Sequence, residues 1–241
     1  MEDYTDNRDS LWEQAAADQY SDNIALKIPG YQLQYDLMDT LLTALFKERI
    51  GPEVLAVGAG GGQEILTLAR KHRDWKFSGL DTSKRMLLTA EKRIAEAGVE
   101  NSVQLHHCEL AAWENSRPFA AATCMLVLHF VKGRENKLAF LQKIAGQLEA
   151  GAPLFISAIN GDVASPAWSL QMAGWRLHML NHGIEQKDWE RFEQSFGMTS
   201  YPLPAEEMEL LLRQAGFTTV TRYFGSYLID GWMAVKGGSA E

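Results

Sequence analysis

A run of glycines follows a short apolar segment in the first quarter of the chain. Residues 54–57 read Val-Leu-Ala-Val, and residues 58–62 read Gly-Ala-Gly-Gly-Gly. Glycine lets the backbone turn sharply, and it lets a ligand approach the main chain because no Cβ stands in the way. The apolar segment is typical of a buried strand. The pattern therefore predicts a strand-to-helix loop that holds a ligand, with a tight turn that holds none as the alternative.

The chemistry of that ligand depends on an acid and on the glycine spacing. Asp81 ends the next apolar run, where a carboxylate can accept hydrogen bonds from both hydroxyls of a ribose. Its alternative role is to cap a helix beside Ser83. A dinucleotide loop requires a third glycine or an alanine, at a position that Gln63 or Ile65 occupies here, so the spacing argues against that ligand class.

The elements that must position these residues alternate along the chain. Short apolar runs at 54–57, 77–81, 103–105, 122–128 and 154–159 are separated by segments with helical periodicity, and two more strands are predicted at 218–224 and 228–235. Such alternation predicts an α/β fold with a Rossmann-like, seven-stranded, mostly parallel sheet and an antiparallel last strand. A ligand of such a sheet binds beyond the carboxyl ends of its strands.

Two segments depart from the alternation. Residues 1–50 are predicted to form a helical N-terminal arm. Residues 161–204 combine helix formers with aromatic residues and are predicted to form a helical insertion. The insertion would cover one end of the sheet as a substrate lid, or form a subunit contact in a homodimer. We expect the whole chain, 1–241, to form a single domain.

Composition limits the partners. The chain has 241 residues and a formal charge of −8, without a run of Lys and Arg, which argues against nucleic acid as a partner. No apolar run reaches the roughly 18–20 residues of a membrane helix. Two cysteines, Cys108 and Cys124, do not make a disulfide framework. These features favour a cytoplasmic protein that acts away from membranes.

The Gly-x-Gly-x-Gly spacing resembles the first motif of class I S-adenosylmethionine-dependent methyltransferases, and the resemblance extends over most of the chain. Residues 124–130 resemble the fourth-strand motif of that family, and residues 211–217 resemble its helix before the sixth strand. The resemblance implies that S-adenosylmethionine is the cofactor. It also implies a set of cofactor-binding positions: Gly58, Ala59, Gly60, Gly62, Asp81, Thr82, Met86, Glu109, Leu110 and Met125.

The family also implies a role for several of these positions. The glycine loop would hold the amino-acid part of the cofactor, and Asp81 would bind its ribose. Glu109 and Leu110 would meet the adenine, and Met125 would lie near the sulfonium. The chain departs from the family at Ala56, where an acid is usual, and at Phe119-Ala120, where an acid often opens the fourth strand. Glu64 is the nearest carboxylate that could compensate.

A narrower resemblance concerns the carboxy-S-adenosylmethionine synthases and their methyltransferase relatives. It rests on residues 28–31, Ile-Pro-Gly-Tyr, and on residues 224–226, Phe-Gly-Ser. The resemblance implies that Tyr31 touches the amino-acid end of the cofactor. It further implies that an arginine of the insertion grips an additional carboxylate, and Arg191 is the candidate by position.

Methyl transfer itself needs few protein groups. It is an in-line displacement at a sulfonium carbon, so the protein mainly aligns the reactants, and a base is needed only if the nucleophile must lose a proton. His129, just after the fourth strand, is the candidate base, with packing beside that strand as its alternative. No metal is expected, because residues 106–108, His-His-Cys, would alternate between the two faces of a strand.

Three functions are consistent with these features. The first is a methyltransferase for a small-molecule acceptor. The second is carboxyl transfer, as the segment at Tyr31 suggests. The third is a non-catalytic domain that binds the cofactor or a partner, as the missing acid at Ala56 suggests. RNA as the acceptor fits poorly with the acidic composition.

Overall fold

The computed structural model describes residues 23–238, and their strands form one seven-stranded sheet in the order β3-β2-β1-β4-β5-β7-β6. Strands β1 to β5 run parallel, and β7 is antiparallel to both of its neighbours. The predicted Rossmann-like sheet is therefore confirmed. The strands are β1 (Glu53–Val57), β2 (Lys76–Asp81), β3 (Val103–His107), β4 (Ala121–Met125), β5 (Pro153–Ile159), β6 (Phe217–Ser226) and β7 (Ile229–Lys236).

Helices connect the strands and cover both faces of the sheet. They are α1 (Tyr31–Leu45), α2 (Gln63–Ala69), α3 (Lys84–Glu96), α4 (Arg134–Gly146), α5 (Pro166–Asn181), α6 (Gln186–Gln194) and α7 (Ala205–Gln214). Side chains alternate along a strand, so each strand serves two cores. In β1, Val54 and Ala56 face the core with α1, α2 and α3, whereas Leu55 and Val57 face the core with α4 and α7.

The end of β4 differs from the sequence-based prediction, which extended this strand to Leu128. The strand stops at Met125, because Leu126 adopts a left-handed conformation with φ 62°. The backbone N–H of Leu126 donates to the carbonyl of Ser157 at 2.8 Å, which holds this turn against β5. A short 3-10 turn, Leu128–Phe130, follows. The chain therefore bends at the carboxyl edge of the sheet, where ligands bind in this class of fold.

The segment 161–204 contains two helices, α5 and α6, and a third apolar cluster. Trp175, which is 1% exposed, lies at the centre of this cluster and donates its indole N–H to the carbonyl of Lys27 at 2.7 Å. This bond connects the insertion to the segment before α1. The first 22 residues of the predicted N-terminal arm lie outside the described residues, but 23–27 and α1 are helical. The role of the insertion as a lid or subunit contact stays a prediction.

Candidate functional site

A cavity of about 250 Å³ lies at the carboxyl ends of β1, β2 and β4. Its floor is the glycine loop after β1, and its walls come from α1, α3 and the bend after β4. Nine of the predicted cofactor-binding positions line it. They are Tyr31, Gly58, Ala59, Gly60, Asp81, Thr82, Met86, Leu110 and Met125.

The glycine loop needs its glycines for conformation and for space. Gly58 has φ 72° and Gly60 has φ 50°, in the left-handed region that side chains rarely adopt. A Cβ at Gly58 would also overlap Cγ2 of Val127, which approaches from the bend after β4. The N–H groups of Gly58 and Ala59 donate to the carbonyl of Leu80 at 2.8 Å and 2.9 Å, which fixes the loop to the end of β2.

Asp81 holds the loop from the other side. One carboxylate oxygen accepts the N–H of Gly60 at 2.7 Å, and the other accepts the N–H of Ser83 at 2.8 Å. The pKa of Asp81 is raised by burial, against the effect of these backbone hydrogen bonds. Ser83 in turn caps α3 through the N–H of Met86. Asp81 therefore orders the loop and the start of α3, and it also faces the cavity.

Glu64, in the first turn of α2, is the most unusual side chain of the cavity wall. It is 3% exposed, and its Oε1 has no hydrogen-bond partner among the residues that the structure describes. Burial raises the pKa of Glu64 to about 8, and the negative charge of Asp81 contributes in the same direction. From the sequence, Glu64 was suggested only as a substitute for the acid that is missing at Ala56. The sequence did not show that residues 64–69 of α2 are all buried.

The wall also includes polar side chains that were not predicted as site residues, among them Arg93, Gln63 and Tyr35. Arg93 donates to the carbonyl of Gly61 and, at 2.8 Å, to Oε1 of Gln63, so it connects α3 to the glycine loop. The rings of Tyr35 and Tyr31 meet edge to face at 5.1 Å. Burial raises the pKa of Tyr31 to about 12, so its hydroxyl stays protonated near neutral pH. Helical periodicity in the sequence assigns such residues to the surface or to the core, and it does not identify them as lining a cavity.

Two predicted cofactor positions do not line the cavity. Gly62 lies behind the loop, where an added Cβ would be 3.2 Å from Cβ of Ala90, so this glycine permits α2 and α3 to pack closely. Glu109 is exposed and absent from the cavity wall, although its neighbours Cys108 and Leu110 are part of it. The backbone after β3 thus presents an apolar wall and turns the Glu109 carboxylate to solvent.

The prediction that His129 stands at the mouth of the site is wrong in its geometry. The ring is buried away from the cavity, and its Nδ1 accepts the N–H of Ile159 at 3.3 Å. Burial, together with the positive charge of Lys137, lowers the pKa of His129 to about 3. The physical cause is the early end of β4, after which the chain turns the histidine towards β5. The position of His129 matches the alternative role considered for it, which is packing beside the fourth strand.

Arg191 does not reach the cavity either. Its side chain is 74% exposed on α6 and pairs with Asp188 at 3.2 Å. The carboxyl-transfer hypothesis requires an arginine that binds the additional carboxylate of the cofactor, and Arg191 is not placed to do so. For metals, no group of three or more His, Cys, Asp or Glu ligands occurs within residues 23–238. No helix in the same part of the chain is long and apolar enough to span a membrane.

Residues 54–151 match the family model of a methyltransferase domain. Two curated relatives are ubiquinone biosynthesis O-methyltransferases. That of Azoarcus sp. is 27% identical over 63% of this chain and 62% of its own length. That of Hahella chejuensis is 30% identical over 59% of this chain and 57% of its own length. The chain therefore spans about three fifths of the length of these curated relatives.

Solved structures show the same fold. Magnesium protoporphyrin IX methyltransferase from Synechocystis PCC 6803, with bound S-adenosylhomocysteine, aligns with a TM-score of 0.69 at 16% identity. The alignment covers 95% of this chain and 98% of that structure. At this identity the likeness concerns the fold alone.

Proposed function

We propose that this chain, which belongs through residues 54–151 to the class I S-adenosylmethionine-dependent methyltransferases, transfers a methyl group from that cofactor to a small molecule. The observation that carries the proposal is the cavity where Asp81 hydrogen-bonds the loop at Gly60 and the start of α3 at Ser83. The arrangement offers a carboxylate beside exposed main chain, as a nucleoside with an amino-acid tail requires.

The residues present fit this cofactor. Gly60 has φ 50°, a conformation that favours glycine, and its main chain borders the cavity without a Cβ in front of it. Asp81 would hold the ribose, and Leu110 with Met86 would supply apolar contacts to the adenine. Within residues 23–238, one buried carboxyl oxygen of Glu64 has no hydrogen-bond partner beside the loop. When bound, S-adenosylmethionine supplies an activated methyl group on a sulfonium centre.

The acceptor side of the cavity is apolar. Its wall includes Ile24, Tyr31, Leu126, Val127 and Phe130. Apolar walls with few polar groups favour a flat or hydrophobic molecule. The relatives named above act in ubiquinone biosynthesis or on a magnesium porphyrin, and this supports an acceptor with an apolar ring system and an oxygen nucleophile.

Among the described residues that form the walls there is no histidine base, and His129 is buried elsewhere. Tyr31 keeps its proton near neutral pH, and Asp81 is engaged by two backbone N–H groups. We therefore propose that the acceptor arrives with a nucleophile that is already ionised, such as a carboxylate or an acidic phenol. The task of the chain is then to align the acceptor with the methyl group and to exclude water.

Three finer expectations also belong to this proposal. The insertion at 161–204 would cover the acceptor side, because its apolar cluster includes Tyr31 and Leu126, which also line the cavity. The second expectation is that the same segment forms the contact between two copies of the chain in a homodimer. A cytoplasmic location is supported by two cysteines, Cys108 and Cys124, that are free thiols.

Label transfer tests the reaction. The wild-type protein is incubated with methyl-labelled S-adenosylmethionine and two acceptor panels, aromatic carboxylates and hydroxylated aromatic rings. We expect label in an extracted small molecule together with S-adenosylhomocysteine. The matched control is Gly58→Ala, which should transfer nothing. Binding of the cofactor without transfer to either panel would favour the non-catalytic alternative, and a carboxylated cofactor found by mass spectrometry of the purified protein would favour carboxyl transfer.

A further inference from the structure

A buried carboxyl group with an unpartnered oxygen is costly, so its presence requires an explanation. Glu64 is such a group: it is 3% exposed, its Oε1 lacks a partner in the described part of the chain, and it lines the cavity beside the glycine loop. A solvent-facing or apolar residue in its place would avoid the cost. A positively charged ligand group beside Oε1 of Glu64 would offset this cost.

The charged and titratable groups around Glu64 do not supply that cation. Asp81, from β2, adds negative charge, and the thiol of Cys124, from β4, is neutral because burial raises its pKa. The phenol of Tyr31, from α1, is held neutral by burial, which raises its pKa, and its oxygen accepts a hydrogen bond from the hydroxyl of Tyr35 at 3.5 Å.

Arg93, from α3, is the positive charge that acts on Glu64 among the cavity-lining residues. Its guanidinium is already engaged, since it donates to the carbonyl of Gly61 and to Gln63. The cavity therefore holds two carboxyl groups against one committed arginine. A ligand that brings its own positive charge restores the balance.

We propose that the carboxyl group of Glu64 receives the ammonium group at the amino-acid end of the cofactor, and that it releases its proton to solvent when this cation binds. The proposal rests on the proposed function, because it assumes that the cavity binds S-adenosylmethionine. It makes Glu64 a binding residue that also links cofactor affinity to pH.

The proton balance follows from the environment of Glu64. Burial holds its pKa at about 8, so the carboxyl group is mostly protonated at pH 7 in the free protein. The ammonium group favours the ionised form, and one proton leaves for each cofactor bound. Below pH 8, affinity should rise with pH, by at most about tenfold per pH unit. Above pH 8 this dependence should level off, because the carboxylate is already ionised.

Titration calorimetry with two ligands isolates this role. S-adenosylhomocysteine carries the ammonium group, whereas 5′-methylthioadenosine has the same nucleoside without the amino-acid end. We expect Glu64→Gln to weaken S-adenosylhomocysteine binding by about 10- to 100-fold, as for the loss of a charge-assisted hydrogen bond. Binding of 5′-methylthioadenosine should stay within about twofold, since it does not reach the carboxyl group. Asp81 titrates in the presence of both ligands, so this comparison removes its contribution.

Proton release gives a second readout that a structural role would not produce. The wild-type protein is titrated with S-adenosylhomocysteine at pH 7 in buffers with different ionisation enthalpies. The observed heat should vary with the buffer, corresponding to release of nearly one proton, and Glu64→Gln should remove this variation. Glu64→Asp keeps the carboxyl group on a shorter side chain, so it should bind S-adenosylhomocysteine more weakly and still release a proton. This variant replaces Glu64→Gln in the test if the Gln variant fails to fold.

The two proposals fail in different ways. If the wild-type protein binds neither ligand, the proposed function and the role of Glu64 are both overturned. If the wild-type protein binds S-adenosylhomocysteine but Glu64→Gln binds it equally well, or loses 5′-methylthioadenosine to the same extent, only the role of Glu64 is overturned. Retained affinity with lost methyl transfer would also contradict it, because a base for the acceptor would then be the better assignment.

Discussion

The glycine-loop side of the cavity and the helical insertion at 161–204 are built from different interactions. On the loop side, backbone N–H groups meet carboxyl oxygens, and Gly58 and Gly60 adopt conformations that other residues avoid. On the insertion side, aromatic rings meet one another: Trp175 and Phe192 lie 4.9 Å apart, as do Trp168 and Phe196. The first side depends on directional contacts, and the second depends on apolar packing.

This difference indicates a division of work. Directional contacts fix a ligand that is always the same, so the loop side suits the cofactor. Apolar packing tolerates changes of shape, so the insertion suits the role of acceptor-side cover that we propose for it. If the division is real, substitutions on the loop side should remove cofactor binding, whereas those on the insertion side should reduce stability and leave the cofactor bound.

The largest expected effect is on the loop side, at Gly58. Gly58→Ala adds a Cβ that overlaps Val127, at a backbone φ of 72°, and we expect no measurable binding of S-adenosylhomocysteine by calorimetry. The matched control is Gly98→Ala, where φ is +63° and no atom lies within 4 Å of the added Cβ. The control should lose only about 1–2 kcal/mol of stability and should bind normally. Normal binding by Gly58→Ala would contradict the loop assignment.

The second prediction concerns the insertion side. Trp175→Ala removes a fully buried ring and its hydrogen bond to Lys27, so the free energy of unfolding in urea should fall by about 3–5 kcal/mol. Trp175→Phe keeps most of the packing and should fall by less. The affinity of the folded Ala variant for S-adenosylhomocysteine should stay close to that of the wild type. If that affinity were lost as in Gly58→Ala, the two sides would not be independent.

The third prediction returns to the loop side, at Asp81. Asp81→Asn replaces one acceptor oxygen with an amide that faces a backbone N–H, so the contact to Gly60 or to Ser83 must break. We expect S-adenosylhomocysteine binding to weaken by about 100-fold in calorimetry. Asp162→Asn is the control, because Asp162 accepts one N–H, from Ala164, in an exposed loop. Equal effects of the two substitutions would show that Asp81 has no special role.

The sequence indicated the loop side well, because its signals are local. Gly58 and Asp81 have roles that follow from the conformation of glycine and from a strand end, and neither depends on distant parts of the chain. The sequence did not reveal the task of Glu64, since its burial arises from α1, α3 and β4 meeting over a short helix. A charged residue directly before the mostly apolar run 65–69 was the available signal.

The wrong assignments share one cause. His129 was placed from a strand that was predicted to reach Leu128, but the turn at Leu126 rotates the following residues away from the cavity. Arg191 and Glu109 were placed by similarity to a family, yet each side chain points to solvent here. Side-chain direction depends on long-range packing, both after the end of a strand and on a surface helix such as α6, and a single sequence does not show that packing.

The fourth prediction is a pH dependence of stability. The folded pKa of Glu64, about 8, lies above its unfolded value near 4.5, so its stabilising effect is complete below pH 4.5 and is lost as pH rises to 8. Between pH 7 and 8, the ligand-free wild type should lose up to about 1.4 kcal/mol relative to Glu64→Gln in urea unfolding. Parallel pH profiles of the two proteins would contradict the assignment.

The titration of His129 does not overlap the range between pH 7 and 8. Its folded pKa of about 3 lies below the ordinary value of 6.5, so the stability that it contributes is present above pH 6.5 and is lost as pH falls towards 3. Lys137, whose pKa burial lowers to about 8, titrates in both proteins, so above pH 7 it is the difference between the two profiles that reports on Glu64. Below pH 4.5, where Glu64 no longer gives the two profiles different slopes, both proteins should lose stability in the same way as pH falls.

The smallest effect is expected at Arg191. Its exposed pair with Asp188 contributes little, so Arg191→Ala should leave stability and S-adenosylhomocysteine affinity unchanged within about 0.5 kcal/mol. Thermal melts with and without the ligand measure both quantities. A tenfold loss of affinity would give the insertion a direct part in cofactor binding and would blur the division between the two sides.

The most direct test of the central claim is a calorimetric titration of the wild-type protein with S-adenosylmethionine, with Gly58→Ala in parallel. The cavity at the glycine loop predicts saturable binding with one site per chain in the wild type, and none in the variant. Absence of binding to the wild type at millimolar concentration, or equal binding to both proteins, would contradict the claim that this loop holds the cofactor.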